Sequence, residues 1–120
     1  MAIDYGLTEA ERFVPERTGG TLRAYRRHQI SPDPLLEPGE QDLTAHVDFG
    51  AVQQAGEAAG LVTSAFVSQE QFLTRIAAGL WRDARPGGKW AAEQTRQFQT
   101  LTHPNHLGRA FRVLVQSRGT

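Results

Sequence analysis

Eight consecutive residues, Asp42-Leu43-Thr44-Ala45-His46-Val47-Asp48-Phe49, alternate strictly between polar and apolar side chains. In an extended strand, successive side chains point to opposite faces. Leu43, Ala45, Val47 and Phe49 would then face a core, and Asp42, Thr44, His46 and Asp48 would form one polar ridge. Two carboxylates, an imidazole and a hydroxyl in that arrangement can accept protons, orient a cation or hold a ligand. The same pattern describes an ordinary half-buried strand with a solvated polar face, which is the commoner case.

Other constellations carry less chemistry. Arg23-Ala24-Tyr25-Arg26-Arg27-His28 is a small basic cluster with one aromatic. It can touch phosphate or an acidic partner, although in a neutral chain a solvated turn is the commoner outcome. His46-x-Asp48 together with His28 or His103 matches no standard metal-ligand spacing. His103-Pro104-Asn105-His106 reads as a turn. Tyr5 and Tyr25 are the only tyrosines, and either can close a core while bonding through its hydroxyl.

The elements that must position these residues are legible unevenly. Residues 7–40 hold no strong helix pattern, and four of the six prolines lie between Pro15 and Pro38. Ser31-Pro32-Asp33-Pro34 and Glu37-Pro38-Gly39-Glu40 predict turns. Asp48 predicts the N-cap of a helix over about 49–59, closed by Gly60. That capping role competes with the ridge role, because a capping carboxylate is occupied with backbone donors. Residues 61–67 are apolar and β-branched enough for a strand. Ser68-Gln69-Glu70-Gln71 fits a capping box. The helix that follows carries Phe72, Leu73, Ile76, Ala77, Leu80 and Trp81 as a core stripe, until Arg85-Pro86-Gly87-Gly88 breaks it. A second helix, about 90–101, is anchored by Trp90, Phe98 and Leu101. Residues 111–115 are continuously apolar apart from Arg112, which suits a central strand.

Gly20-Thr21-Leu22-Arg23-Ala24-Tyr25, then His28, Asp33-Pro34-Leu35-Leu36, Pro38-Gly39 and the ridge at 42–49 form one continuous signature. Together with Ile3-Asp4-Tyr5-Gly6 upstream and Leu107-Gly108 before Phe111-Arg112-Val113-Leu114, it resembles the MidA-like family of S-adenosylmethionine-dependent methyltransferases. Residues 20–49 carry most of the specificity, and 80–98 carry little.

The resemblance implies an α/β fold, namely the C-terminal portion of a Rossmann-like class I methyltransferase. The strand around Ile3 would be parallel to an edge strand at 61–67, with an antiparallel strand at 110–117 inserted between them. Residues 7–47 would be a substrate-side loop insertion. The N-terminal cofactor-binding half would be absent, since no GxGxG turn occurs in the 120 residues. The implied cofactor is S-adenosylmethionine, its main binding motif missing here, so the chain alone is expected to be inactive. Ligands of open α/β sheets sit beyond the carboxyl ends of the parallel strands, so Asp4 and Tyr5 would approach the cofactor. By the same resemblance the methyl acceptor would be a protein arginine. A guanidinium fork pairs with carboxylates, which makes Asp42 and Asp48 the acceptor-holding candidates. His28 or His46 would relay a proton, and Arg23 and Tyr25 would contact substrate, Arg23 by pinning a loop or a carboxylate.

Composition fits one ordinary core. Formal net charge is zero, which argues against a dedicated nucleic-acid binder. There is no cysteine, so neither a disulfide framework nor a thiolate metal site is expected, in keeping with a reducing, cytoplasmic setting. No apolar run approaches the roughly 20 residues that span a membrane. The first residues show neither the basic nor the apolar region of a signal peptide. A second function class also fits: a small non-enzymatic interaction domain that binds another protein through the proline-rich segment and the 23–28 cluster.

Overall fold

The apolar run near the end of the chain becomes the middle of the main sheet. In the computed structural model, which describes residues 1–83 and 90–119, strand β7 (Phe111–Arg118) lies between β1 (Ala2–Leu7) and β6 (Leu61–Ser68), antiparallel to both. β1 and β6 therefore run parallel to each other, with β6 at the edge. This is the inserted-strand arrangement that the sequence resemblance implied. A two-residue strand, β5 (Val47–Asp48), pairs parallel with the end of β1, matching Gly6 with Val47 and Leu7 with Asp48. The sheet order is β5-β1-β7-β6. Val113 and Leu114, successive residues that point to opposite faces, are 0% and 2% exposed, because helices pack against this strand.

The segment between β1 and β5 is not a bare loop. Thr8 caps a short helix, α1 (Glu9–Arg12), in a reciprocal capping box with Glu11. Thr8-x-x-Glu11 is a signal present in the sequence that the reading of 7–40 missed. Beyond it, β2 (Arg23–Arg26), β3 (Gln29–Ser31) and β4 (Asp42–Thr44) form a second sheet in the order β3-β2-β4. The expected turns are present. The Asp33 carboxylate accepts from the Leu35 amide at 2.8 Å, and the Glu40 amide donates to the Glu37 carbonyl at 3.0 Å.

The ridge is not one strand. Its first part, β4, pairs with β2 in the small sheet, and its last part, β5, belongs to the main sheet. Ala45 and His46 lie between the two and join neither ladder. A chain that changes sheets cannot keep alternate side chains on one face. Leu43 is 56% exposed, whereas Phe49, the first residue of the next helix, is 1% exposed.

That helix, α2 (Phe49–Ala58), starts where expected, with the Asp48 side chain accepting from the Ala51 amide. Gly60, in the left-handed region at φ 85°, ends the turn after it. The Ser68–Gln71 capping box forms as read: the Gln71 amide donates to Ser68 Oγ at 3.2 Å, and the Ser68 amide to Gln71 Oε1 at 3.4 Å. It opens α3 (Gln69–Asp83). The apolar stripe of α3 is covered only in part. Ala77 is buried, but Ile76 and Leu80 are 47% and 57% exposed, because α4 (Ala92–Thr102) and α5 (Leu107–Ala110) cover one flank alone. Buried Gln69 ties α3 to α4 by donating to the Leu101 carbonyl at 2.9 Å. Trp90 packs edge-on against Phe98 at 5.1 Å between ring centroids. The expected break at 85–88 and the side chain of Trp81 lie outside the described residues.

Candidate functional site

The carboxyl end of β1 is the place to look, since β1 is parallel to β5 and ligands of such sheets gather beyond strand ends. There, β1 presents Tyr5 toward the small sheet. Tyr5 packs on Phe111 at 4.0 Å between centroids and meets the His46 ring edge-on at 6.3 Å. A cavity of about 380 Å³ opens beside it. Its walls are Tyr5 from β1, Ala110 from the α5–β7 junction, Thr21, Arg23 and Tyr25 at β2, and Thr44, Ala45 and His46 at the break in the ridge. The volume falls near the lower end for small-molecule sites. The break that spoils the ridge as a strand is therefore what turns His46 toward this cavity. The His46 amide donates to Thr21 Oγ1 at 3.2 Å and fixes that crossing.

Four of the eight residues singled out from sequence converge here: Tyr5, Arg23, Tyr25 and His46. The other four stand elsewhere. Asp4 accepts from the neighbouring Tyr5 amide at 2.7 Å. Asp42 is exposed on β4, in register with Tyr25, but it does not line the cavity. His28 sits exposed in the turn between β2 and β3. Asp48 is occupied: Oδ1 accepts from the Ala51 amide at 3.0 Å, and Oδ2 accepts from Arg12 Nη1 at 2.9 Å. The backbone donor at Ala51, and then Arg12, hold its carboxyl below the usual range. Thr21 and Ala110 line the cavity without having been expected. Only the register of β1 against β7 and the sheet change at Ala45–His46 bring them in.

The electrostatics are those of an aromatic box. None of the lining residues is a carboxylate. The one cation, Arg23, turns Nη1 back onto the Leu22 carbonyl at 2.7 Å and the Gly20 carbonyl at 3.4 Å, so it pins its own loop. Two tyrosines line the cavity; tyrosine rings attract a cation, and their hydroxyls can donate or accept. Among the described residues, no group of three or more His, Cys, Asp or Glu side chains could hold a metal ion.

A second layer braces the box. Glu11 pairs with Arg112 on β7, and Arg12 pairs with Asp48. The Thr8 amide, followed by Arg112, lowers the Glu11 carboxyl below its ordinary value. The two ion pairs hold α1 against β7 and the start of α2.

A mixed sheet with its last strand inserted antiparallel, and a cavity at the carboxyl end of the parallel strand, define the C-terminal portion of a class I methyltransferase fold. Residues 1–67 match the family described as "Putative S-adenosyl-L-methionine-dependent methyltransferase". The chain is 34% identical, over 99% of its length, to the Drosophila melanogaster "Protein arginine methyltransferase NDUFAF7 homolog, mitochondrial". Two crystal structures of Burkholderia thailandensis proteins superpose on 97% of it at 33% identity, with TM-scores of 0.81 and 0.80, the second bound to S-adenosyl-homocysteine. The chain belongs to the MidA-like family of S-adenosylmethionine-dependent methyltransferases. It spans 26% of the length of the Drosophila relative, and 32% and 30% of the two Burkholderia chains.

Ribose hydroxyls are commonly held by a carboxylate next to a glycine-rich turn, and neither lines this cavity.

Proposed function

We propose that these 120 residues form the C-terminal, acceptor side of a methyltransferase, with 7–47 as the substrate-side insertion and the Tyr5–Tyr25–His46 cavity as the pocket for the side chain to be methylated. The observation that carries this reading is the convergence of four separate segments on one aromatic box at the carboxyl end of β1. The acceptor class is a protein guanidinium. Support comes from the printed name of the Drosophila relative and from the ring faces, which suit a flat cation better than a neutral alcohol or acid. Tyr25 and Tyr5 stack and orient the acceptor, and His46 takes up the departing proton. Asp42, in register with Tyr25, adds negative charge beside the pocket, whereas Asp48 serves as the α2 cap and the partner of Arg12. The nucleoside is gripped by other polypeptide, so the 120 residues alone do not turn over. We retain a cytoplasmic setting on the cysteine-free sequence, although the Drosophila relative is named mitochondrial. Among the described residues, no helix is long and apolar enough to cross a membrane.

The test is a fusion. The 120 residues replace the aligned C-terminal portion of the Burkholderia relative that binds S-adenosyl-homocysteine, and transfer of a labelled methyl group to arginine peptides is measured. The fusion is expected to be active, and Tyr25→Ala to lower kcat/KM at least tenfold with cofactor affinity unchanged. Tyr25→Ala and His46→Ala both retaining activity within twofold would remove the cavity from the reaction. Calorimetric titration of the 120 residues alone is expected to show no S-adenosylmethionine binding; a micromolar Kd would overturn that part of the reading.

A further inference from the structure

We propose that the tip of the β2–β3 hairpin and the groove beside it dock an acidic segment of the protein substrate whose acceptor side chain enters the aromatic box. The inference rests on the reading of that box as an acceptor pocket.

β2 turns into β3 through two residues only, Arg27 and His28, with Arg26 opposite Gln29. Both turn residues have positive φ, 48° and 66°. A two-residue hairpin of this kind is ordinarily built from Asn-Gly or Asp-Gly, because side chains are strained there. Folding alone therefore favours other residues at both positions. The strain is placed where it holds an arginine and a histidine out at the tip, both exposed.

Beside the tip lies an open groove of about 360 Å³, lined by Arg26, Arg27, Gln29, Ile30, Ser31 and Leu36. Ile30 and Leu36 are 66% and 50% exposed. No carboxylate lines the groove. Of the acids in the loop after β3, Glu37 pairs with Arg26, the Asp33 carboxylate accepts from the Leu35 amide, and Glu40 is exposed and outside the groove's lining. Arg27 makes no ion pair among the described residues. A free guanidinium fork beside two exposed apolar side chains is complementary to a peptide that carries both carboxylates and apolar residues.

β2 joins this groove to the box. Arg23 and Tyr25 line the box, and Arg26 and Arg27 line the groove. Tyr25 and Arg26 are neighbours on the strand and so face opposite sides of the small sheet, and a peptide that reaches both passes round the hairpin tip at Arg27. Acidic residues a few positions from the acceptor arginine would then lie over Arg27.

Arg27→Gly provides the test, because glycine relieves the positive φ while removing the charge. Fluorescein-labelled peptides with one arginine flanked by Glu-Leu repeats, and their Gln-Leu counterparts, are titrated by fluorescence anisotropy. The fusion enzyme is used without S-adenosylmethionine, so docking is read without turnover and fails separately from the methyl-transfer reading. The Glu peptide is expected to bind at least tenfold more tightly than the Gln peptide, and the difference to shrink in 0.5 M salt. Arg27→Gly is expected to remove most of that preference while the melting temperature holds or rises. Arg27→Lys should restore part of it, and His28→Gly should leave it within twofold. Equal binding of the two peptides, or an unchanged preference in Arg27→Gly, would overturn the proposal. So would displacement of the Glu peptide by an equal concentration of inorganic phosphate or oligo-dT, since either would show a general anion site.

Discussion

At the scale of single residues, Asp48 holds two roles at once. It caps α2 and pairs with Arg12, and its side chain does not line the box. Asparagine caps about as well as aspartate, so Asp48→Asn keeps the cap and loses the ion pair and the charge. In the fusion enzyme it is expected to leave turnover within a few-fold; a hundredfold loss at unchanged melting temperature would make Asp48 part of the acceptor site after all. Asp48 and Glu11 also set an acid response. Both carboxyls lie below their ordinary values in the folded chain, through backbone donors first and arginines second. The unfolded chain therefore binds their protons at higher pH, starting at about pH 4. The stability they contribute is present above that range and lost as pH falls through the lowered folded values. Urea midpoints measured from pH 7 to pH 3 are expected to fall less steeply in Asp48→Asn and Glu11→Gln than in the parent chain, Glu57 supplying part of the remaining slope through its bonds to Gln53 and Thr63.

At the scale of elements, the junction of β1, β5 and α2 depends on one small residue. A Cβ built on Gly6 would stand 2.1 Å from the Phe49 ring, and Phe49 is buried against Phe66 at 5.3 Å between centroids. Gly6→Ala must displace either the ring or the strand. Overpacking of this kind costs about 1–3 kcal/mol. Because Tyr5 is the next residue along β1, the box should loosen with it. Denaturant titration is expected to show that loss in Gly6→Ala. Trimming the ring by Phe49→Leu in the same chain is expected to cost less than the sum of the two single changes, since the residues touch. Strict additivity would mean that the strand, and not the ring, had moved.

For the whole molecule, surface is the telling quantity. The radius of gyration is 18.1 Å, where a compact chain of this length has roughly 13–14 Å. The accessible surface is 9096 Å², against about 6,500 Å² for a compact monomer of this mass. Part of the surplus is apolar, including Ile3, Val62, Ile76 and Leu80. The β1 edge away from β7 is paired only at Gly6 and Leu7 among the described residues. Unpaired edges and uncovered apolar faces recruit other chains. The 120 residues by themselves are expected to self-associate and to bind a hydrophobic dye. A monomer by sedimentation with a sharp cooperative melt would show that this surface is tolerated in water.

Sequence alone determined the features whose causes act over a few residues. The Asp48 cap, the Ser68–Gln71 capping box, the turns at Asp33 and Gly39 and the central strand at 111–115 were all legible, because each is decided by neighbours within one turn or by the chain's own periodicity. The methyltransferase class was legible because a signature of residue types survives without knowledge of their contacts. The cluster at 23–28 was legible as a solvated turn, and an exposed turn stands at Arg27-His28, but the two strands it joins were not, since the turn uses residues that hairpin propensities disfavour. The ridge at 42–49 was misread for a related reason: strict alternation describes the side chains, but it does not record that the chain leaves one sheet for another at Ala45. Only tertiary structure decided that Tyr5, Tyr25, His46 and Ala110 share one cavity while Asp4, Asp42, Asp48 and His28 do not. Those contacts join positions 20 to 105 residues apart, and strand order and register set them.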